Sequence, residues 1–343
     1  TAAVCSGTAL NIPLTSNVGT SFSWVASNSA NVSGETTNPT SSSIINNTLT
    51  NTTTSIQSVT YTITPSTASP TCAGTPFTIT VSVVPAVTVN PIAPTTICNN
   101  LPLNIPITSN VPASFSWSTA NNTNITGEST TAVNSSTIND LLNNTSTSQQ
   151  SLTYTITPTS ATGSCVGSPF NVTVNVVPTV TVTSSNTSTV CSGIPININL
   201  TTNVASSFSW HAANNPNTTG ETTTLTNSST INNTIISNST SAQNVVYTIT
   251  PTSNIGSCIG TAQTLTVTVN PAPSMTNVNT VDVCSGSIVN LSLTSNVSST
   301  YNWVATANNQ VGGESTTPQT GNTINDVLTN TTGAIQTVTY TVT

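Results

Sequence analysis

Val59-Thr60-Tyr61-Thr62-Ile63-Thr64-Pro65 alternates apolar and polar side chains, and closely similar strings return at Leu152–Pro158, Val245–Pro251 and Val338–Thr343. Alternation with period two marks a half-buried strand. The β-branched Thr, Val and Ile that fill it suit a pleated surface better than a helix. Tyr61, Tyr154, Tyr247 and Tyr340 stand 93 residues apart, and Trp24, Trp117, Trp210 and Trp303 keep the same step. Glu35, Glu128, Glu221 and Glu314 follow it too, as do Cys5, Cys98, Cys191 and Cys284. A period of this length is too long for a helical solenoid unit and fits one small sandwich domain per copy. The chain therefore reads as all-β, a tandem array of β-sandwich domains.

Working outward from the tyrosine string, Phe22 and Trp24 flank Ser23, and Leu10, Ile12 and Leu14 point one way while Asn11 and Thr15 point the other. Phe77, Ile79, Val81 and Val83 alternate in a closing strand, and a segment around Ile45 and Leu49 supplies another. Phe22 and the Trp and Tyr series are expected in the core, because inward alternation on central strands buries large aromatic rings. Ser33-Gly34-Glu35, Pro65-Ser66 and Ser69-Pro70 are expected as turns between strands. Prolines 85, 178 and 271 close successive copies at short junctions that should restrict hinge motion. The domains are placed at 1–85, 86–178, 179–271 and 272–343, with the first shortened at its start and the last at its end. The segment is expected to be a window onto a longer, extended array.

The 343 residues include no Lys or Arg and seven carboxylates, so the charged fraction is 2% against roughly 25% in ordinary soluble domains. A nucleic-acid partner needs cations to displace phosphate counterions, and an anionic membrane surface needs a basic patch. Neither partner is expected. No apolar run suggests a membrane span, so membrane insertion is not expected either. Trypsin has no side chain to recognise.

Seven cysteines, Cys5, Cys72, Cys98, Cys165, Cys191, Cys258 and Cys284, alternate between a long gap, as from Cys5 to Cys72, and a short one, as from Cys72 to Cys98. Pairing at the longer gap staples each domain, and pairing at the shorter gap links neighbours. Cys72 precedes the last strand, which carries the chain roughly 30 Å onward before Cys98 is reached. The expectation is therefore Cys5–Cys72, Cys98–Cys165 and Cys191–Cys258, with Cys284 joined beyond Thr343. Disulfides imply an oxidising, extracellular setting. Zinc is disfavoured, since no CxxC pair exists and His211 is the single histidine.

The repeated glutamate, always in Gly-Glu-(Thr/Ser)-Thr, reads as a loop cap accepting backbone N–H groups, with a ligand role as the alternative. Calcium loops gather several carboxylates, whereas Asp140, Asp282 and Asp326 do not recur in every copy. His211 stands where other copies carry Val25, Ser118 and Val304. Acid–base catalysis needs two titratable groups or a base beside a nucleophile, so no enzyme, metal or cofactor is expected.

The order Val4-Cys5-Ser6-Gly7, Phe22-Ser23-Trp24, Gly34-Glu35, Val59–Pro65, Cys72-Ala73-Gly74 and a closing Val-rich strand resembles the PKD-like repeats of giant cell-surface gliding adhesins of Bacteroidetes, of the SprB type. The resemblance covers the whole chain. It implies an immunoglobulin-like sandwich, a stalk or adhesive segment of an extracellular filament, and export by the type IX secretion system. It also implies partners in the cell-envelope motility and secretion machinery, and a surface or polysaccharide gripped through the full-length protein. The chain lacks the Gly-Asp-Gly turn of general PKD domains. The alternative is a repeated carbohydrate-, ice- or surface-binding module acting by avidity, motivated by the outward row Thr60, Thr62 and Thr64. Lateral self-association of chains is left open by the residues.

Overall fold

The computed structural model describes residues 2–67 and 70–343. Every regular element among them is a strand. In the first repeat these are β1 (Ala2–Cys5), β2 (Ile12–Pro13), β3 (Thr20–Ala26), β4 (Val32–Ser33), β5 (Thr40–Ser41), β6 (Ile44–Ile45), β7 (Thr50–Asn51), β8 (Gln57–Thr67) and β9 (Phe77–Val84). One layer is a five-stranded sheet in the order β1-β9-β8-β3-β5. The facing layer consists of two short ladders, β2 with β6 and β4 with β7. Val59, Tyr61, Ile63, Val81 and Val83 from the sheet meet Leu14, Ile45 and Leu49 from the facing side in one core. Residues 95–177 repeat this arrangement, as do residues 187–270.

The tyrosine strand holds the centre of the sheet. β8 pairs antiparallel with β3, setting Trp24 opposite Ile63 and Ala26 opposite Tyr61. It pairs antiparallel with β9 on its other side, setting Tyr61 opposite Ile79. The first strand is different: β1 runs parallel to β9, with Ala2 opposite Val81 and Cys5 opposite Val84. The chain thus enters each of the first three repeats along the strand by which it leaves, and in the same direction.

Three local readings change. Pro65 lies inside β8, opposite Phe22, rather than in a turn. Its missing N–H is harmless there because β9 pairs only as far as Ile63, and its carbonyl accepts from the Gly74 N–H at 2.7 Å. The Ser69-Pro70 turn involves Ser69, outside the described residues. The predicted Leu10–Leu14 strand shrinks to Ile12–Pro13, because Asn11 takes a left-handed φ of 50°. Asn104, Asn197 and Asn290 do the same, as Asn tolerates that region better than other side chains. Finally, Phe77 at the rim of β9 is 45% exposed, while Val84 at its far end is buried.

The chain divides into two compact units, Thr1–Val180 with Asn254–Cys258, and Thr181–Ser253 with Ile259–Thr343. Within the first unit, the segment leaving β9 crosses directly to the second repeat. Val89 bridges to Ser109 and joins the second core, and Asn110 Nδ2 donates to the Ala86 carbonyl at 3.0 Å. Within the second unit, residues 287–342 form a smaller core around Val289, Leu293, Trp303 and Ile324. A cleft of about 800 Å³ opens beside it, lined in part by Val281, Val283, Leu291 and Val338.

Candidate functional site

Two clusters of recurring residues are candidates: the glutamate loop with the tyrosine beneath it, and the cysteines. The loop is set by glycine. Gly34 has φ +93°, and a Cβ there would stand 2.0 Å from the Thr48 carbonyl oxygen; Gly127, Gly220 and Gly313 repeat both features. Only glycine fits so close a crossing at that backbone angle. The following glutamate turns inward, and its Oε1 accepts a backbone N–H from earlier in the chain. The donors are Ser29, Asn122, Asn215 and Asn308, at 3.0, 3.2, 3.2 and 3.1 Å from Glu35, Glu128, Glu221 and Glu314. Oε2 of Glu35 and of Glu221 is buried without a hydrogen-bond partner.

Beneath the loop, each tyrosine packs edge-on against its tryptophan, with ring centroids 5.7–5.8 Å apart. Each hydroxyl ends in a polar node that the sequence did not single out. Tyr61 donates to Asn47 Oδ1 at 2.8 Å, and Asn47 Nδ2 donates to Thr36 Oγ1 at 2.7 Å. Tyr247, Asn233 and Thr222 repeat that geometry. In the second repeat Tyr154 donates to Asp140 Oδ2, and the Ser129 N–H and hydroxyl donate to the same carboxylate, all at 2.7 Å. Tyr340, Asp326 and Ser315 match it. The available signal was the shared repeat step through Asn47, Asp140, Asn233 and Asp326. Asn and Asp have one shape, and the Thr or Ser hydroxyl rotates to accept from an amide or to donate to a carboxylate.

Burial pushes the Tyr61 and Tyr247 hydroxyls well above the usual tyrosine range, and the neighbouring charges of Glu35 and Glu221 add to it secondarily. At Tyr154 and Tyr340 burial again leads, followed by the hydrogen bond to Asp140 or Asp326. These groups stay protonated and structural. No group of three or more His, Cys, Asp or Glu side chains gathers among the described residues, and Asp282 and His211 join neither cluster. The outward Thr60, Thr62 and Thr64 are half-exposed along β8.

The cysteines overturn the expected pairing. Cys5 is bonded to Cys165 and Cys98 to Cys258, each pair separated by 160 residues. Cys72, Cys191 and Cys284 are free and exposed. The reason is the parallel β1. It places Cys5 beside Val84 at the end of β9, while Cys72 precedes the other end of that eight-residue strand. Such a strand spans about 25 Å, far beyond the roughly 4.4–6.8 Å Cα separation typical of a disulfide. What does reach Cys5 is the hairpin of the next repeat. Its turn carries Gly163 and Gly167, where a Cβ would press on the Val84 side chain at 2.9 Å and on the Val87 carbonyl at 2.1 Å. Gly256 brings Cys258 to Cys98 in the same way, against Thr96. Each observed staple therefore joins the first cysteine of one repeat to the second cysteine of the next.

With this geometry established, a family model described as the PKD-like domain matches residues 2–87, 95–180, 188–273 and 281–343. The chain belongs to the PKD-like domain family. Its four PKD-like copies are immunoglobulin-like domains in tandem, and all-β throughout the described residues. Comparison with curated proteins gave no match. Among solved structures, the I-band fragment of titin is 10% identical, with 79% of this chain and 95% of that one covered at a TM-score of 0.38. A fragment of mouse cadherin-23 is 12% identical over 79% and 95%, at 0.31. The human desmocollin-1 ectodomain is 11% identical over 99% and 75%, at 0.25.

Proposed function

We propose that this PKD-like chain is a stalk segment of a long extracellular surface filament, and that the filament is a gliding-motility adhesin exported by the type IX secretion system. The observation that carries the stalk reading is the joining of successive repeats by disulfides, which stiffens the connections at which tandem domains ordinarily hinge. The bridges also favour an oxidising compartment outside the cell. The hydrogen bonds of the Glu loop and the Tyr node stay within their own repeat, and the chain carries no Lys or Arg with which to hold an anionic ligand. The gliding assignment rests on the sequence resemblance. In this reading the full-length protein grips a surface or polysaccharide, and cell-envelope motility and secretion machinery move and export it.

Antibody raised against the folded chain should label intact, unpermeabilised source cells, and the label should vanish when their secretion machinery is disabled. Label found only after permeabilisation would defeat the reading. The half-exposed Thr row on β8 motivates a second reading, a repeated surface- or carbohydrate-binding module. The isolated chain separates the two, because a stalk leaves polysaccharide and mineral surfaces unbound whereas an avidity module does not. Changing Glu35, Glu128, Glu221 and Glu314 together to Gln should leave attachment by the intact protein unchanged.

A further inference from the structure

The two disulfides interlock. In chain order Cys98 falls inside the loop closed by Cys5–Cys165, and Cys165 falls inside the loop closed by Cys98–Cys258. We propose that this interlocking makes the array a covalent tether that domain unfolding cannot lengthen, in which tension bypasses the body of every bridged repeat. The inference goes beyond the stalk reading, since it holds whatever surface the filament grips.

Tension settles on the shortest covalent path once slack is removed. From Cys72 the chain runs the short gap to Cys98, crosses the disulfide to Cys258, and runs another short gap to Cys284. Along the backbone the same two points are separated by more than two whole repeats. At about 3.3–3.6 Å per extended residue, the bridged path can reach only about 180 Å, whereas the backbone path can reach about 740 Å. A second path of this kind enters at Cys5, crosses to Cys165 and runs the short gap to Cys191.

The short segments carry the tension and hold little slack. The first contains β9 and the first strand of the next repeat, Thr95–Cys98, both already extended. The bodies between Cys98 and Cys165 and between Cys191 and Cys258 hold the tryptophans, the tyrosine nodes and most of the cores. They hang beside the path. Such a body is free to melt and refold without changing the reach of the filament. In an array lacking the bridges, each unfolding event would add its full length.

The test attaches handles to the exposed free thiols Cys72 and Cys284 through thioether links, in the full chain carrying Cys191→Ser, and stretches single molecules with and without a reductant. Without reductant, the distance between attachment points should stop at ~180 Å under any force that leaves disulfides intact. With reductant, it should grow in steps to ~740 Å, a fourfold gain. Cys98→Ser combined with Cys258→Ser should release the ceiling without reductant. The shortest route then runs back from Cys72 to Cys5, across to Cys165 and on to Cys284, and reaches about 650 Å. Stepwise lengthening of the bridged chain beyond about 180 Å in the absence of reductant would overturn the proposal. Recovery of a Cys5–Cys72 crosslinked peptide from the unreduced chain would overturn it as well.

Discussion

The node around Tyr154 and the joint at Cys165 lie in one repeat, and both are built from residues that recur at the repeat step, yet they close differently. Tyr154, Asp140 and Ser129 find every partner inside their own copy. Cys165 finds its partner in the copy before. Periodicity establishes that residues are equivalent. It is silent on whether a residue meets a neighbour in its own copy or the equivalent of that neighbour one copy away. For the node the question is settled by burial, because a tyrosine hydroxyl inside a core must be satisfied by what surrounds it. For the joint it is settled by the direction in which the first strand runs.

The largest expected effect separates the two regions by reach. Replacing Cys5 and Cys165 together by Ser opens a loop of 160 residues, which the chain-entropy model values at about 5 kcal/mol. Hydrogen exchange should show faster opening in both the first and the second repeats. Acceleration confined to one of them would place the staple within a repeat after all. Unreduced peptide mapping with a protease other than trypsin should recover Cys5 joined to Cys165.

A smaller effect should stay local. Asp140→Ala strands the buried Tyr154 hydroxyl and the Ser129 N–H, at a cost of about 1–3 kcal/mol for each unsatisfied group. Asp140→Asn should cost less than about 1 kcal/mol, because the first and third repeats already use Asn with a hydroxyl that accepts. Thermal melting of the two variants, with exchange read across repeats, checks both statements. Equal destabilisation by Ala and Asn would mean that the negative charge, and not the hydrogen-bond geometry, holds the node.

The smallest effect at neutral pH becomes visible in alkali. Tyr61, Tyr154, Tyr247 and Tyr340 all titrate higher when folded than when unfolded. A group with a raised folded pKa contributes stability that is present below its unfolded value, about 10 for tyrosine, and that falls as pH rises above it. Ultraviolet titration should therefore show these tyrosines ionising together with unfolding rather than ahead of it. Independent ionisation near pH 10 with the fold intact would show the nodes open to solvent.

Much of the fold was legible because alternation reports burial directly. The strings around Trp24 and Tyr61 have period two, and their inward residues sit in the core. The Pro65 turn was misplaced because proline ordinarily marks the end of a ladder, while here only the β9 side of the ladder has ended. Charge alone does not reveal the node. Asp140 and Asp326 look sporadic until Asn47 and Asn233 are placed beside them as the same shape with a different donor count.

The sequence by itself determined the period, the all-β class, the PKD-like pattern, the aromatic core and the lack of Lys and Arg chemistry. These follow from side-chain type and spacing, which act locally along each strand. Only the tertiary structure decided which sulfur meets which. The choice depends on β1 lying parallel to β9, which carries Cys5 to the exit of its repeat, and on the glycines at 163 and 167, which let the next hairpin press against that exit. Strand direction and close approach between copies are properties of the packed chain. No count of gaps along the sequence contains them.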